Sequence, residues 1–234
     1  MTSLAACLNC SVRNRSFCGT LDAADLATLG GLGRRQKLSQ GDAVLWAGQD
    51  ADICGNVLHG ALELIATTSD GRAQNVGALY PGDFIGHPYA DAAAFTVTAI
   101  TESEICTFPR APFERLLAGD AKLERQLLVQ TLATLDATRA RILTLTRRTA
   151  AEKVAGFLLE IAERGETVRS KPSPTGPLTF DLPLNRGQIA DVLGLTIETV
   201  SRQLTKLKAA GIIALPGVRA VTIRQEAALK AIAG

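Results

Sequence analysis

The spacing of hydrophobic positions predicts a β-structured region in the first half of the chain. Between residues 38 and 108, short apolar or β-branched runs alternate with glycines, and Ser69-Asp70-Gly71 has the composition of a β-hairpin turn. Many short strands separated by turns at this spacing are typical of a β-barrel or jelly roll. We therefore expect a jelly-roll domain here.

The next region has the pattern of helices. Residues 112–170 contain no proline after their first position and are rich in Leu, Ala, Arg and Glu, which favours helix. Apolar residues and threonines recur within it at alternating intervals of three and four, as in a coiled-coil seam. The positions of this predicted dimer seam are Leu128, Thr131, Leu135, Thr138, Ile142 and Leu145. Because two of the six are Thr, we expect a weak homodimer interface; the alternative is a helix that only covers the barrel.

The pattern of residues 185–207 predicts two short helices joined by a tight turn. Small Ala190 allows the helices to approach closely, Gly194 supplies the backbone freedom of the turn, and Thr196 is placed to cap the second helix. This is the geometry of a DNA-binding helix-turn-helix, and the alternative is a solvated helix in an interaction module. Residues 170–177 are expected to form a loop before it, and Pro216-Gly217 a small wing after it, with residues 221–223 as the returning strand.

One face of the second helix has the chemistry of base recognition. Val200, Leu204 and Leu207 share the face expected to pack inward, and the opposite face holds Glu198, Ser201, Arg202 and Thr205. Arg bonds guanine bidentately, Glu accepts from the cytosine amino group, and Ser and Thr suit several bases. The formal net charge is only +2, so positive charge must be local, supplied by Arg186, Arg202, Lys206 and Lys208. The predicted DNA-contacting residues are Glu198, Ser201, Arg202, Thr205, Arg186, Thr196 and Lys206.

Cysteines form a second candidate site. Cys7, Cys10 and Cys18 lie in a short N-terminal segment, and Cys106 at the end of the β-region is the natural fourth ligand. Soft sulfur ligands favour zinc or an iron–sulfur centre, and from residue types alone these two and redox-active thiols remain open. Arg13 and Arg15 lie between ligands and would offset thiolate charge. Cys54 is most simply a small buried hydrophobe.

Several classes of protein are excluded by what the sequence lacks. The N-terminal residues include no apolar stretch suited to a signal peptide, and the sequence has no apolar run of membrane-spanning length. We therefore expect a cytoplasmic protein with reduced thiols and no membrane partner. It has no Ser-His-Asp, phosphate-loop or paired-carboxylate constellation, and no βαβ pattern surrounds Cys7 and Cys10. We therefore predict that the protein is not an enzyme. His59 and His87 are expected to be surface residues rather than haem or metal ligands.

The order of these elements resembles the cyclic-AMP receptor and fumarate–nitrate reductase regulator (CRP/FNR) superfamily over nearly the whole chain. The resemblance implies an α+β protein: a cysteine-containing arm (1–20), a β-roll sensory domain (21–119), a dimerisation helix (120–148) and a winged helix-turn-helix DNA-binding domain (149–234). It also implies a homodimeric transcription factor that binds double-stranded DNA. Exposed β-roll turns, such as residues 68–72, would contact RNA polymerase.

Within this superfamily the motifs are most similar to the oxygen-sensing branch. By resemblance, Cys7, Cys10, Cys18 and Cys106 would bind an oxygen-labile [4Fe-4S] cluster that promotes dimerisation. Glu198, Ser201 and Arg202 would contact palindromic TTGAT-type sites under anaerobic or microaerobic conditions. The alternative is a zinc-stabilised or thiol-redox-sensing regulator of the same fold, and a less favoured one is a cyclic-nucleotide-type regulator.

The chain departs from the best-known members of that branch at two positions. Seven residues separate Cys10 from Cys18, a longer interval than theirs. Thr138 aligns with an acidic residue that opposes their dimerisation, so the cluster-free protein would dimerise more readily. Cyclic nucleotide is not expected as a ligand, because residues 92–98 contain no Arg and no Gly-Glu pair follows Gly82-Asp83.

Overall fold

The computed structural model describes residues 4–164 and 178–234, which belong to two compact units, Met1–Asp136 and Ala137–Gly234. The division falls inside the long helix of the chain. The predicted loop at residues 170–177 and the helical prediction for residues 165–170 lie outside the described residues.

The first unit opens with a short helical arm that contains three cysteines. Its elements are α1 (Leu4–Leu8), 3-10 turns at Arg13–Arg15 and Phe17–Thr20, and α2 (Ala23–Leu32). Asp22 fixes the start of α2, since its carboxylate accepts from the Ala24 and Asp25 N–H groups at 2.9 and 3.0 Å.

Two four-stranded antiparallel sheets follow, as the glycine-punctuated pattern predicts. The strands are β1 (Arg34–Leu38), β2 (Ala43–Leu45), β3 (Ile53–His59), β4 (Leu62–Thr67), β5 (Ala73–Leu79), β6 (Phe84–Ile85), β7 (Thr96–Ala99) and β8 (Ser103–Pro109). One sheet has the order β1-β8-β3-β6 and the other β2-β7-β4-β5. The predicted hairpin joins β4 to β5, and Gly71 in its turn has a φ of 84°.

Two apolar clusters stabilise this unit. The first fills the space between the sheets with small and branched residues such as Val57, Leu62 and Ile105. The second lies beneath the arm and joins Phe17 to α2, to β8 and to the helices that follow. Because the second cluster includes residues of the arm, the position of the cysteines depends on its packing.

The described part of the region predicted as helical contains three helices, which confirms that prediction for residues 112–164. They are α3 (Arg110–Gly119), α4 (Ala121–Arg147) and α5 (Ala150–Arg164). Asp120 separates the first two, because its carboxylate accepts from the Lys122 and Leu123 N–H groups at 2.9 and 3.3 Å and thereby caps α4. Thr149 and Glu152 form a reciprocal capping box that starts α5.

The second unit is a winged helix. It contains β9 (Leu178–Asp181), α6 (Arg186–Leu193), α7 (Ile197–Ala209), β10 (Ile213–Ala214), β11 (Ala220–Ile223) and α8 (Glu226–Ala233), with the sheet order β10-β11-β9. The predicted wing is confirmed, since β10 and β11 are antiparallel neighbours on either side of Pro216 and Gly217. None of the described helices is both long and apolar enough to cross a membrane.

Candidate nucleic-acid interface and metal centre

The turn between α6 and α7 is fixed by side-chain caps and one glycine. Asn185 and Gln188 cap α6 reciprocally, with N–H···O distances of 3.0 and 2.8 Å. Gly194 ends α6 in the left-handed region at φ 59°, and the Thr196 hydroxyl accepts from the Thr199 N–H at 3.3 Å to start α7. The predicted turn and cap are confirmed, and the α6 capping box is an additional feature.

Helix α7 has its apolar and polar residues on opposite faces. Val200, Leu204 and Leu207 are buried, as predicted for the inward face. Of the predicted outward face, Glu198, Arg202 and Thr205 are exposed and Ser201 is half-buried. The predicted basic residues Arg186, Lys206 and Lys208 are exposed as well.

Hydrogen bonds orient three of the outward polar groups. Arg186 Nη1 donates to Ser201 Oγ at 3.3 Å, so Ser201 retains its own hydrogen for an acceptor on a ligand. Thr205 donates its hydroxyl hydrogen to the Ser201 carbonyl at 2.8 Å and presents lone pairs outward. The backbone N–H of Glu198 and the Thr196 hydroxyl lower the pKa of the Glu198 carboxyl, which therefore stays an ionised acceptor.

Two exposed apolar residues of this unit were not identified from the sequence. Ile197, at the first position of α7, is 53% exposed, and Val218 in the wing is 94% exposed. Ile197 lies four residues before Ser201 and so belongs to the same face, a spacing that would have identified it. An apolar side chain on this face can contact a thymine methyl group.

All four cysteines predicted to act together line one cavity of the first unit. Its empty volume is about 410 Å³, part of which is open to solvent. The lining cysteines are Cys7, Cys10, Cys18 and Cys106. Cys54 does not line it and is fully buried in the cluster beneath the arm. Burial raises the pKa of the Cys54 thiol to about 12, with a further increase from Glu114 and a decrease from Arg110.

The arm positions its cysteines through one aromatic anchor. Phe17, directly before Cys18, is fully buried, and its ring centroid lies 5.6 Å from that of Phe84, 6.2 Å from Phe108 and 5.5 Å from Phe113. Edge-on and tilted contacts of this kind add to the stability gained from burial. The 3-10 turn that holds Cys18 is therefore fastened to the sheet and to α3.

The surroundings of Cys18 and Cys7 favour the neutral thiol. Burial raises the pKa of Cys18 to about 12; the Ser16 hydroxyl lowers it, and the nearby Cys106, Cys10 and Cys7 raise it. Burial and Cys10 also raise the pKa of Cys7, against the opposing effect of Arg35 and Arg13. Several thiolates would share this cavity only with compensating positive charge, which a metal centre provides. No disulfide joins any of the five cysteines.

The donor set fits an iron–sulfur or zinc centre. Four thiols on one cavity provide the soft ligands that both centres use, and the buried Asn56 Oδ1 and Arg13 Nε of the same region have no hydrogen-bond partner in the described part of the chain. Among the residues at 4–164 and 178–234, no three His, Cys, Asp or Glu are already spaced to hold a metal ion. A centre bound by all four cysteines would therefore require their sulfur atoms to lie closer together than they do in this structure.

Two arginines lie near the cysteines of the cavity, and one of them was not predicted. Arg13 lowers the pKa of Cys7, as expected. The backbone of Arg15 lies against Gly82, whose added Cβ would be 3.1 Å from the Arg15 carbonyl oxygen, and the charge effect expected of Arg15 stays a prediction. Arg35, which was not predicted, lines the cavity and is opposite Cys106 across β1 and β8. Only the strand register brings Arg35 to this site, so no local sequence signal indicated it.

Helix α4 has an apolar stripe that the described residues leave exposed. All six predicted seam residues are exposed, including the four large apolar ones Leu128, Leu135, Ile142 and Leu145. Three further exposed residues, Val129, Leu132 and Leu143, were not predicted. Within α4, which the structure describes completely, Leu123 is the one buried residue. His59 and His87 are both exposed, as predicted.

Comparisons with known proteins agree on one family. Residues 152–232 match the family model of the Crp-like helix-turn-helix domain, and residues 35–120 match that of the cyclic nucleotide-binding domain. The chain is 42% identical over 233 residues to the transcriptional activator protein FnrL of Cereibacter sphaeroides, covering all of this chain and 94% of that protein. It is 26% identical over 231 residues to the fumarate and nitrate reduction regulatory protein of Salmonella typhimurium, covering 97% and 90% of the two chains.

A solved structure gives the same fold. The structure of FixK2 from Bradyrhizobium japonicum superposes with a TM-score of 0.76 at 29% identity, over 86% of this chain and 98% of that one. The sequence relatives and this structure cover both units of the chain.

Proposed function

The chain belongs to the CRP/FNR family of transcription regulators, which are not enzymes, and on this premise we propose that it is an oxygen-responsive homodimeric activator. A [4Fe-4S] cluster held by Cys7, Cys10, Cys18 and Cys106 promotes its dimerisation and its binding to palindromic TTGAT-type sites. The observation that supports this most strongly is the single cavity that all four cysteines line. The absence of a cyclic-nucleotide ligand stays a prediction.

The arm is coupled to the long helix through the cluster of apolar residues beneath it. When bound, the iron–sulfur group supplies an oxygen-labile link between arm and sheet. Phe17 directly precedes Cys18 and moves with it. The cluster that surrounds Phe17 also contains Phe113, Leu117 and Leu123, the last in the first turn of α4. Movement of the arm therefore disturbs the base of α4.

A second contact couples the arm to α4 near the dimer seam. Gln130 Nε2 donates to the Gly82 carbonyl at 3.1 Å, and Gly82 in turn packs on the backbone of Arg15. Gln130 lies between Leu128 and Thr131 of the seam. Release of the arm removes the support on one side of Gly82 and loosens α4 where two copies would meet.

The far end of α4 contacts the helix-turn-helix within the second unit. Arg141 Nη2 donates to the Val192 carbonyl in the last turn of α6 at 3.1 Å, and Leu145 lies beside Gly194 of the turn. Pairing of two α4 helices thus sets the orientation of both α7 helices. On a palindromic site, the two α7 helices would contact half-sites about one DNA turn apart.

The Thr68–Arg72 turn is the surface we propose for RNA polymerase. Asp70 holds its shape by an ion pair with Arg72 Nε at 2.8 Å and a hydrogen bond from Thr68, and both charged side chains are exposed. Replacement of Arg72 by Ala is expected to lower transcription in vitro while operator affinity stays unchanged. An equal loss of transcription and of operator affinity would indicate that Arg72 acts in DNA binding instead.

The central experiment is anaerobic reconstitution with iron and sulfide. We expect about four irons and four sulfides per chain and a visible absorption that oxygen removes. Stable assembly of the cluster should be prevented by each of four single substitutions, Cys7→Ser, Cys10→Ser, Cys18→Ser and Cys106→Ser. The matched control, Cys54→Ser, should take up iron and sulfide normally. A colourless protein that binds one zinc would favour the zinc-stabilised alternative, and a Cys54→Ser variant that cannot hold iron would revise the ligand set.

A further inference from the structure

A buried amide lies against the sulfur of one predicted ligand. Asn56 on β3 is 2% exposed, and its side chain lines the cysteine cavity. Its Nδ2–H donates to Cys18 Sγ across an N···S distance of 3.7 Å, while its Oδ1 has no hydrogen-bond partner among the described residues. The sequence pattern did not identify Asn56.

The sheet register places the same amide beside a second predicted ligand. Asn56 is opposite Cys106 on β8, and Cys106 is opposite Arg35 on β1. Laterally paired residues point to the same face of a sheet. One row of side chains along the wall of the cavity therefore contains Arg35, Cys106 and Asn56. Cys18 of the arm lies against this row.

Burial of this amide is unfavourable for the core by itself. A buried amide whose oxygen lacks a partner loses its hydration without full compensation. A leucine has nearly the same shape and would avoid that loss among the phenylalanines beneath the arm. Among the described residues, the one group that receives a hydrogen bond from the Asn56 side chain is the Cys18 sulfur, and we therefore look for the role of this polar residue at that atom.

Resting on the proposed function, we propose that Asn56 is a positioning residue for Cys18 that makes the iron–sulfur centre more resistant to oxidation. A metal-bound thiolate has no proton and only accepts hydrogen bonds, so the amide must direct its N–H toward it. Hydrogen bonds to the sulfurs of such a centre withdraw electron density and raise its reduction potential. Loss of the Asn56 N–H therefore makes oxidation easier.

The test compares two variants. Asn56→Leu keeps nearly the shape of the side chain but removes its N–H donor, and Asn56→Ser supplies a hydroxyl donor on a shorter side chain. Asn75→Leu is the matched control, because Asn75 on β5 donates to Glu63 Oε2 at 2.9 Å and does not line the cavity. Each protein is loaded anaerobically with iron and sulfide, and the decay of its visible absorption in air is measured. The thermal unfolding of each metal-free protein is measured separately.

We expect the two measurements on Asn56→Leu to move in opposite directions. Its metal-free form should unfold at the same temperature as the unmodified protein or higher, while its loaded form decays on the order of tenfold faster in air. Asn56→Ser should recover part of the lifetime, and Asn75→Leu should match the unmodified protein in decay. A lower unfolding temperature with an unchanged lifetime would make Asn56 merely structural and overturn the proposal.

A failure of the proposed cofactor is distinguishable from a failure of the role of Asn56. If the unmodified protein takes up no iron and sulfide, the same variants are loaded with Co²⁺ alone, and the thiolate-to-cobalt charge-transfer band is recorded. Removal of a hydrogen bond from sulfur raises the energy of its lone pairs, so Asn56→Leu should shift this band to lower energy. An unshifted band, or no cobalt binding by the unmodified protein, would overturn the proposal.

Discussion

Helices α7 and α4 differ in how completely their own chain covers their apolar residues. In the 13 residues of α7, Val200, Leu204 and Leu207 are all buried, and the outward face is largely polar. In the 27 residues of α4, one residue is buried and a stripe of large apolar side chains is exposed. The DNA-contacting helix is thus stabilised within one chain, whereas the long helix has an apolar surface that suits a second copy.

The sharpest test of this difference is a pair of matched truncations. Leu204→Ala should lower the free energy of unfolding by roughly 2–5 kcal/mol, because it leaves a cavity in the core of the second unit. Leu135→Ala should change the unfolding of the dilute monomer by less than about 0.5 kcal/mol but weaken dimerisation. Denaturant titrations at two protein concentrations separate these effects. If Leu135→Ala were as costly as Leu204→Ala at the lower concentration, α4 would already be covered by its own chain.

The polar face of α7 should divide into base-contacting and phosphate-contacting residues. Arg202→Ala should cost roughly 1–3 kcal/mol of binding free energy and relax discrimination at one base pair. Lys206→Ala should weaken binding to all sequences and reduce the slope of its salt dependence by about one. Affinities for point-mutated half-sites at several salt concentrations provide the measurement. A uniform loss from Arg202→Ala would contradict a base-specific role.

Local sequence patterns predicted the elements of this molecule better than its long-range contacts. The α6–α7 turn depends on residues a few positions apart, so Gly194 and Thr196 were identified from the sequence. The strand pairs that bring Arg35 and Asn56 beside Cys106 join residues 71 and 50 positions apart, and no local pattern encodes them. The apolar stripe of α4 was predicted only in part, because heptad spacing selected Leu128, Leu135, Ile142 and Leu145 and omitted the exposed Leu132.

The exposed stripe of α4 should respond to a single apolar replacement. Thr131 donates its hydroxyl to the Leu127 carbonyl at 2.8 Å, and both Thr131 and Thr138 are exposed, so neither adds much apolar surface to a dimer. Thr138→Leu should strengthen association by roughly 1–2 kcal/mol and preserve operator binding in air. Light scattering before and after transfer from anaerobic buffer to air measures the change. If the unmodified protein stays dimeric without its cluster, oxygen must act within the dimer instead.

The smallest expected effect concerns two roles of Thr196, as the cap of α7 and as a predicted DNA contact. Thr196→Ala should lower the free energy of unfolding by about 1 kcal/mol through loss of the cap, and Thr196→Ser, which keeps the hydroxyl, should restore most of it. Operator affinity that falls with Ala and returns with Ser agrees with either role. The pH dependence tests a further route by which Thr196 acts on DNA binding, through Glu198, which lies two residues after it.

The folded-state pKa of Glu198 is lowered, first by its own backbone N–H and then by the Thr196 hydroxyl. A group with a lowered pKa stabilises the folded state above its unfolded pKa and loses that contribution as the pH falls through its folded pKa. Without the hydroxyl, Glu198 takes up its proton at a higher pH, so specific operator binding by Thr196→Ala should begin to fail at a higher pH than in the unmodified protein. Half-sites altered at the base pair that we predict Glu198 to contact should show no such displacement. If both proteins lose affinity at the same pH, Thr196 does not set the ionisation of Glu198 in the DNA-binding protein.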